Sequence, residues 1–146
     1  MTMKQVFTAM ALFAALAVGT LQTTAPAFAA DVKTNKLVIQ VSDNDPAKWN
    51  LALNNALNVQ KDLGKDKVQI EIIAYGPGLN MLKAESKVRD RVVGAMDGGV
   101  GIVACDNTIR NMKLTNADLI GGIAHVDSGV VGIMKRQQEG WAYVRP

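Results

Sequence analysis

Apolar residues from residue 36 onward follow two alternating patterns: short runs rich in β-branched residues, and longer stretches in which apolar positions recur at helical spacing. The short runs predict five strands, at residues 36–41, 68–75, 100–104, 123–126 and 141–144. The longer stretches predict helices at residues 46–63 and 85–97, a short helix after residue 105 and a last helix that ends near residue 139. Strands joined by helices pair in parallel through right-handed crossovers. The pattern therefore predicts an α/β fold, a three-layer α/β/α sandwich with a mainly parallel five-stranded sheet.

Capping residues support these boundaries. Asp45 followed by Pro46 is a strong helix start, and Gly64 is a suitable stop for the same helix. The predicted caps of the later elements are Asp106 or Asn107, Thr115 with Asp118 as a capping box, Asp127 or Ser128, and Gly140 as the residue after the last helix. In the final strand Trp141 and Tyr143 share one face, where they either cover the sheet or line a subunit contact.

The first residues have the pattern of an export signal. Lys4 precedes an apolar stretch without charge at residues 6–18, and Ala27-Phe28-Ala29 forms a small-x-small cleavage site. The apolar stretch is too short for a comfortable membrane span, so we expect a signal peptide at residues 1–29 and one folded domain at residues 30–146. The predicted location is the periplasm, with no membrane insertion after processing.

The composition of the chain limits the classes of partner and cofactor that we expect. The formal net charge of the chain is +3, and no basic run or cluster of aromatic residues is present. Nucleic-acid binding requires a clustered basic face, so we expect no nucleic-acid partner. No nucleotide fingerprint or P-loop occurs, and one cysteine with one histidine makes a protein metal site improbable. We therefore expect no cofactor and no metal.

Cys105 is the single cysteine of the chain and the main candidate for chemistry. It follows the predicted third strand, and ligands of parallel α/β sheets collect at the carboxyl ends of strands. A helix that begins directly after it offers N–H groups and a partial positive charge, which favour a thiolate. The neighbouring Asp106 opposes this by raising the thiol pKa unless its carboxylate points away. The alternative is that Cys105 is a small buried apolar residue, as free cysteines often are.

Other polar residues at strand ends are candidate ligand-binding residues. Asn44 follows the first strand, and Gly76 and Gly78 flank a proline after the second. Asn44 offers a side-chain amide, whereas the glycines bring backbone N–H groups near an anion; a cap or a plain turn explains them equally well. Asn107 and Thr108 bind a sulfur species or, as we expect more strongly, cap the helix that follows.

His125 is the single histidine and a possible base for Cys105. This role depends on a strand order that brings the two side chains together. A lone histidine in a short strand is more often packed or turned to solvent.

Four motifs carry a resemblance to a known family. They are Tyr75-Gly76-Pro77-Gly78-Leu79, Val103-Ala104-Cys105-Asp106-Asn107-Thr108, Val126-Asp127-Ser128-Gly129-Val130 and Gln138-Glu139-Gly140-Trp141-Ala142-Tyr143. In this order they resemble the DsrE/DsrF-like family, and most closely its exported single-domain members, over residues 36–146. The resemblance implies a small α/β fold and a homo-oligomer, often a trimer or hexamer. In sulfur-relay members one cysteine carries sulfur as a persulfide, and Cys105 matches that cysteine by position.

These observations lead to three functional hypotheses. The first is a periplasmic sulfur-handling protein that accepts sulfane sulfur as a persulfide on Cys105 and passes it on. Its partners would be small sulfur species or a sulfur-donor or sulfur-acceptor protein. The second is a non-catalytic homo-oligomeric binding or interaction module in which Cys105 is structural. The third is a cysteine-based redox or transferase enzyme that uses His125, which requires His125 near Cys105 and a lowered thiol pKa.

Overall fold

The structure is a computed structural model, and it describes residues 35–146. The predicted signal peptide at residues 1–29 lies outside the described residues. Within residues 35–146 the chain forms five strands and four α-helices. The strands are β1 (Asn35–Val41), β2 (Val68–Ala74), β3 (Gly101–Cys105), β4 (Ala124–Val126) and β5 (Ala142–Val144). The α-helices are α1 (Pro46–Leu63), α2 (Arg89–Asp97), α3 (Asp106–Asn111) and α4 (Gly129–Gln138).

The strands form one parallel sheet in the order β4-β3-β2-β1-β5. The first three crossovers each step one strand toward β4, whereas the last crossover returns across the sheet to place β5 beside β1. Because parallel crossovers are right-handed, connections that run in opposite directions place their helices on opposite faces. The strand order therefore separates α4 from the three earlier helices.

The buried side chains follow this division. The larger cluster joins one face of the sheet to α1, α2 and α3, with Leu53, Val92 and Ile109 as members from the three helices. The smaller cluster lies on the other face and consists of Val38, Ile73, Val103, Ile133 and Trp141. The predicted three-layer α/β/α sandwich is confirmed, with a single short helix as its third layer.

The face under α4 also holds an ion pair. Arg136 of α4 donates two hydrogen bonds to the carboxylate of Glu71 in β2, from Nε at 2.7 Å and from Nη2 at 2.9 Å. The guanidinium also lies 5.1 Å from the ring centroid of Trp141, which is buried. Tyr143 lies farther out on this face, 40% exposed, and its hydroxyl donates to Gln40 at 2.6 Å. Of the two aromatic residues, Trp141 covers the sheet and Tyr143 is left accessible.

Local signals predicted α1 well. The helix has the predicted bounds, the Asp45 side chain accepts from the Ala47 amide at 2.8 Å, and Gly64 closes the helix with a φ of 91°. The capping box of Thr115 with Asp118 is also present. Gly140 follows the end of α4 with a positive φ, as predicted.

The start of α2 was predicted wrongly. The helix begins at Arg89 and not at residue 85, because the preceding segment pairs with a distant one. Lys83 forms an antiparallel bridge with Leu119, and the Ala84 amide donates to the Asp118 carbonyl at 2.9 Å. Residues 84–88 then follow as turns, with the Ser86 amide donating to the Lys83 carbonyl at 2.9 Å, where helical spacing alone predicted the first turn of the helix. Within residues 35–146 no helix combines the length and the apolar character that a membrane crossing requires.

Candidate functional site

Cys105 is the last residue of β3 and occupies the N-cap position of α3. Its side chain points to the face covered by α4 and is buried, with 4% of its surface exposed. The amide of Gly129, the first residue of α4, donates to its Sγ at 3.2 Å. The sulfur therefore lies where α3 begins and where α4 also begins. The first N–H groups of each helix have no partner within that helix, and each N-terminus carries a partial positive charge.

Thr108 adds a second group of donors. Its hydroxyl oxygen accepts from the Gly76 amide at 2.9 Å, which leaves the hydroxyl hydrogen for the sulfur of Cys105. The Thr108 side chain is almost fully buried, and its backbone amide also stabilises the sulfur. The Asn107 amide contributes less, because it donates to the Asp127 carbonyl at 3.1 Å.

These contacts decide the ionisation of the thiol. Burial raises the pKa of Cys105, but the hydrogen bonds from Thr108, Gly129 and Asn107 lower it by more, so the net pKa lies below its ordinary value of 9.0. The hydrogen bonds therefore favour the ionised form of this buried thiol relative to an ordinary cysteine. A cysteine that only fills space among apolar side chains would have a raised pKa instead.

Gly129 has to be glycine at this place. A Cβ atom there would lie 2.8 Å from Cβ and 3.0 Å from Cδ1 of Tyr75. Tyr75 follows β2 next to Cys105, since Ala74 pairs with Ala104 in the register. The glycine thus lets the first turn of α4 approach the sheet closely enough for its amide to reach the sulfur. Gly129 and Tyr75 lie within the motifs at residues 126–130 and 75–79, but the sequence alone assigned neither of them a role. The available signal was a glycine directly after a predicted cap.

The side chain of His125 does not face the sulfur of Cys105. Its Nδ1 is 2.7 Å from Oδ1 of Asp106, and each of the two side chains is about a third exposed. In the register His125 pairs with Ala104, whereas Cys105 pairs with Val126, so His125 and Cys105 project from opposite faces of the sheet. The prediction of His125 as the base for Cys105 is therefore corrected. Asp106 does point away from the sulfur.

The His125–Asp106 pair lies in a cavity of about 410 Å³ at the β4 edge of the sheet, called here the edge crevice. Its lining residues are Asp106, His125, Val126, Asp127, Ser128, Val131, Gly132 and Lys135. Cys105 itself does not line it. Three neighbours of Cys105 line the crevice. They are Asp106, the next residue in the chain, Val126, its partner in β4, and Ser128, which precedes Gly129.

Comparison with known proteins gives the family. The chain is 37% identical to the solved structure of MTH1491 from Methanobacterium thermoautotrophicum, with a TM-score of 0.73 over 77% of this chain and 99% of that one. The chain belongs to the same family as MTH1491. That structure is described as a protein of unknown function, so family membership establishes the fold and not an activity.

Two more distant structures share the fold alone. BT1422 from Bacteroides thetaiotaomicron, described as a conserved protein of unknown function, is 20% identical with a TM-score of 0.64 over 77% of this chain and 95% of its own. The ychN protein from E. coli is 11% identical with a TM-score of 0.63 over 77% of this chain and 99% of its own. No known family profile matches the sequence. No curated protein is significantly similar to it.

The other predicted ligand-binding residues of this family member are held by protein contacts. The Gly76 amide donates to Thr108, and the Gly78 amide donates to the carbonyl oxygens of Ser42 and Tyr75, each at 3.1 Å. A Cβ at Gly78 would lie 2.4 Å from the Val41 carbonyl oxygen, so this glycine serves close packing against the end of β1. The two glycines therefore do not present free amides to an anion.

Asn44 and Asn107 have separate surroundings. Asn44 accepts from Asn80 at 3.2 Å and lines another cavity, of about 340 Å³, near the start of α1. The Asn107 side-chain oxygen accepts from Arg110, one turn later in α3. The prediction that Asp106 or Asn107 caps α3 is wrong, because β3 runs to Cys105 and the helix begins directly at Asp106. Ser128 does occupy the N-cap position of α4, without a capping hydrogen bond from its side chain.

The site is suited to nucleophilic sulfur chemistry. A thiolate held by N–H and O–H donors attacks soft electrophiles such as sulfane sulfur, and the same donors stabilise it again when it leaves. In residues 35–146 no group of three or more histidine, cysteine or acidic side chains is arranged to hold a metal ion.

Proposed function

We propose that this protein is a sulfur carrier in which Cys105 accepts sulfane sulfur as a persulfide and passes it to an acceptor. The observation that carries the proposal is the 3.2 Å hydrogen bond from the Gly129 amide, at the start of α4, to the buried sulfur of Cys105. A residue that only packs has no need of a glycine forced against Tyr75 to supply this amide. The four motifs that resemble the DsrE/DsrF-like family support the same role. The signal-like pattern at residues 1–29 supports a periplasmic location.

The loading step balances as a simple displacement. The Cys105 thiolate attacks the outer sulfur of a donor persulfide, R–S–S–H, and a new sulfur–sulfur bond forms while the donor's own sulfur–sulfur bond breaks. The electron pair of the broken bond leaves on R–S⁻, and the product is Cys105–S–S–H. No external oxidant is consumed, because the outer sulfur keeps its oxidation state. A lowered thiol pKa raises the fraction of attacking thiolate at neutral pH.

Mass spectrometry of the purified protein tests this proposal. After treatment with inorganic polysulfide, we expect the protein to gain the mass of one sulfur atom, lost again on reduction, and Cys105→Ser to gain none. Alkylation of the unfolded protein before treatment shows whether the thiol is free at the start. The same alkylation after treatment shows whether that thiol has reacted. A free thiol that never takes up sulfur from polysulfide would overturn the carrier proposal.

A second candidate function is a homo-oligomeric interaction module, and the outer side of α4 favours it. Val130 and Met134 are 59% and 49% exposed there, and Tyr143 beside them is 40% exposed. Together with Gln40 and Tyr75 these side chains line a cavity of about 420 Å³ between α4 and β5. Exposed apolar residues grouped in this way are typical of a contact surface.

Sedimentation analysis separates assembly from sulfur transfer. We expect a trimer or hexamer for the unaltered protein and a smaller species for Met134→Lys. The matched control is Leu57→Lys, since Leu57 is 45% exposed on α1, on the other side of the sheet. If Cys105→Ser keeps both the assembly and the cellular role, the interaction module is the function. Equal behaviour of the two lysine variants would show that α4 is not the contact surface.

A further inference from the structure

Two side chains flank the sulfur of Cys105 on the face of the sheet that α4 covers. Val126 pairs with Cys105 in the register, and Tyr75 lies on its other side because Ala74 pairs with Ala104. Tyr75 keeps the extended conformation of β2, and both flanking side chains pack against the apolar cluster of this face. Neighbouring strands lie about 4.8 Å apart, so Tyr75 and Val126 are immediate neighbours of the sulfur.

Tyr75 also lines the cavity of about 420 Å³ between α4 and β5, called here the α4–β5 cavity. The strand order places Tyr75, at the end of β2, between Cys105 on β3 and two other lining residues, Gln40 on β1 and Tyr143 on β5. The first turn of α4 covers the sulfur and Tyr75 together, because Gly129 contacts both. The side chain of Tyr75 therefore separates the sulfur from the cavity.

The ring of Tyr75 is free to turn. Tyr143, the other tyrosine of the cavity, is anchored through its hydroxyl, which donates to Gln40 at 2.6 Å. The hydroxyl of Tyr75 has no hydrogen-bond partner among residues 35–146, and the side chain is half-buried. Its Cβ is fixed below Gly129, but the ring can still rotate about the Cα–Cβ and Cβ–Cγ bonds.

We propose that the α4–β5 cavity is the entrance through which a small sulfur donor reaches Cys105, and that Tyr75 opens and closes this entrance. The inference rests on the proposed carrier function, because an interaction module would cover the cavity instead. The chemical step is the displacement described above, in which the donor R–S–S–H gives up its outer sulfur. Tyr75 controls access to that step and takes no part in the exchange of bonds.

The size and charge of the cavity indicate the kind of donor. Its volume lies within the range of small-molecule sites, roughly 300–1,000 Å³. Val130, Ile133 and Met134 supply apolar surface, Gln40 and Gln137 supply amides, and none of the described residues that line the cavity carries a charge. An anion that enters such a cavity loses its water without gaining an ionic partner. We therefore expect the cavity to favour a small persulfide in its uncharged form.

The alkylation rate of Cys105 in the folded protein measures access without requiring the protein to carry sulfur. The rates are taken with iodoacetamide at a pH at which the thiol of each variant is fully ionised, so that changes in pKa do not contribute. We expect Tyr75→Ala to react about tenfold faster than the unaltered protein, as for an entrance that is open about a tenth of the time. Tyr75→Phe keeps the ring and should react at the unaltered rate.

The matched control is Val126→Ala, which removes side-chain volume from the other flank of the same sulfur. It should leave the alkylation rate unchanged. Urea unfolding of both alanine variants shows whether the faster reaction of Tyr75→Ala comes only from a loss of stability. At equal stability, exposure of the sulfur by unfolding would be the same in the two variants.

A charge at the rim of the cavity tests the route without removing any packing. Gln137 and Gln138 are both exposed, but only Gln137 lines the cavity. At low ionic strength, Gln137→Lys should raise the rate with anionic iodoacetate relative to iodoacetamide by about threefold, whereas Gln138→Lys should leave this ratio unchanged. In the unaltered folded protein the same ratio should be about tenfold lower than in the unfolded chain, since the anion is desolvated on entry.

Each outcome has a distinct meaning. If polysulfide leaves no sulfur on Cys105, the carrier function fails, whatever the alkylation rates are. If the protein loads, but Tyr75→Ala reacts no faster than Val126→Ala at equal stability, the entrance is not at Tyr75 and the inference is overturned. The inference is also overturned if Gln137→Lys and Gln138→Lys change the iodoacetate rate equally or not at all. A ratio that is the same in the folded and unfolded protein would overturn the preference for an uncharged donor.

Discussion

Replacement of Gly129 by alanine tests the link between the approach of α4 and the ionisation of Cys105. The added Cβ would lie 2.8 Å from Cβ of Tyr75, whereas ordinary contacts of this kind begin at 3.4 Å. Tyr75 cannot swing its own Cβ aside, because that atom is fixed to the backbone at the end of β2. The first turn of α4 therefore has to rise by about 0.6 Å, the difference between these two distances.

The same movement lengthens the bond to the sulfur. Tyr75 and Cys105 are neighbours at the ends of adjacent strands, and Gly129 lies over both of them. A hydrogen bond to a charged group contributes about 1.5–3 kcal/mol, and about 1.4 kcal/mol corresponds to one pKa unit. Loss of half or more of this bond should raise the pKa of the Cys105 thiol by about one, which reduces the thiolate fraction about tenfold below that pKa.

The assay is the ultraviolet absorbance of the thiolate as a function of pH, with Cys105→Ser as the blank. This readout does not depend on the access of a reagent to a buried sulfur. Gly132→Ala is the matched control, because it lies one turn later in α4 and its added Cβ would meet Ile73 and Val126 at 3.5 Å, an ordinary contact. We expect Gly132→Ala to keep the pKa and to stabilise the protein by about 0.5–1 kcal/mol through its helix propensity.

The reasoning would be refuted if Gly129→Ala titrated like the unaltered protein while remaining folded. A rise in the pKa with Gly132→Ala would also refute it, since the effect would then follow from any alanine in α4. A coordinate determination of Gly129→Ala with an unmoved α4 would show that the close approach to Tyr75 is not limiting.

Three further predictions follow from the contacts around the sheet. Thr108→Val should raise the pKa of Cys105 and lower the free energy of unfolding in urea by about 0.5–1.5 kcal/mol, because the half-buried Gly76 amide loses its acceptor, and Thr108→Ser should restore both values. Arg136→Met should lower the free energy of unfolding by about 1–3 kcal/mol, because it leaves the mostly buried carboxylate of Glu71 without its partner. Adding Glu71→Gln should recover part of this loss. If the effects of the two substitutions were simply additive, the two side chains would not interact directly. The pKa of the Cys105 thiol is lower in the folded protein than its ordinary 9.0 in the unfolded chain, so the unfolded chain binds the proton more strongly. The free energy of unfolding, relative to that of Cys105→Ser, should therefore decrease as the pH falls from 9.0 through the folded-state pKa. A difference in unfolding free energy that stays constant from pH 5 to 9 would contradict this prediction.

Much of the fold could be predicted because its signals are local. The bounds of α1 depend on Asp45, Pro46 and Gly64, which act on amides within one turn of themselves. The position of Cys105 at the end of a strand, with a helix directly after it, follows from one apolar run and the polar residues beyond it. These features require no knowledge of which strands are neighbours.

The start of α2 was missed for a corresponding reason. Helical spacing continued back to residue 85, yet Lys83 pairs with Leu119 and the chain passes through turns before the helix begins at Arg89. The partner lies 36 positions away in the sequence, so no local pattern contains it. Helix propensities of ordinary residues differ by only a few tenths of a kcal/mol per residue, so contacts with a distant segment override them.

The sequence by itself determined the elements, their order and the presence of one sulfur at a strand end. The tertiary structure alone decided what surrounds that sulfur. The return crossover puts α4 on the opposite face and brings Gly129 to Cys105 across 24 positions, whereas the pairing of β4 with β3 brings His125 to Asp106 across 19. The physical reason is that strand order and handedness are set by the packing of whole layers, whereas a hydrophobic pattern specifies only which side of each element is buried.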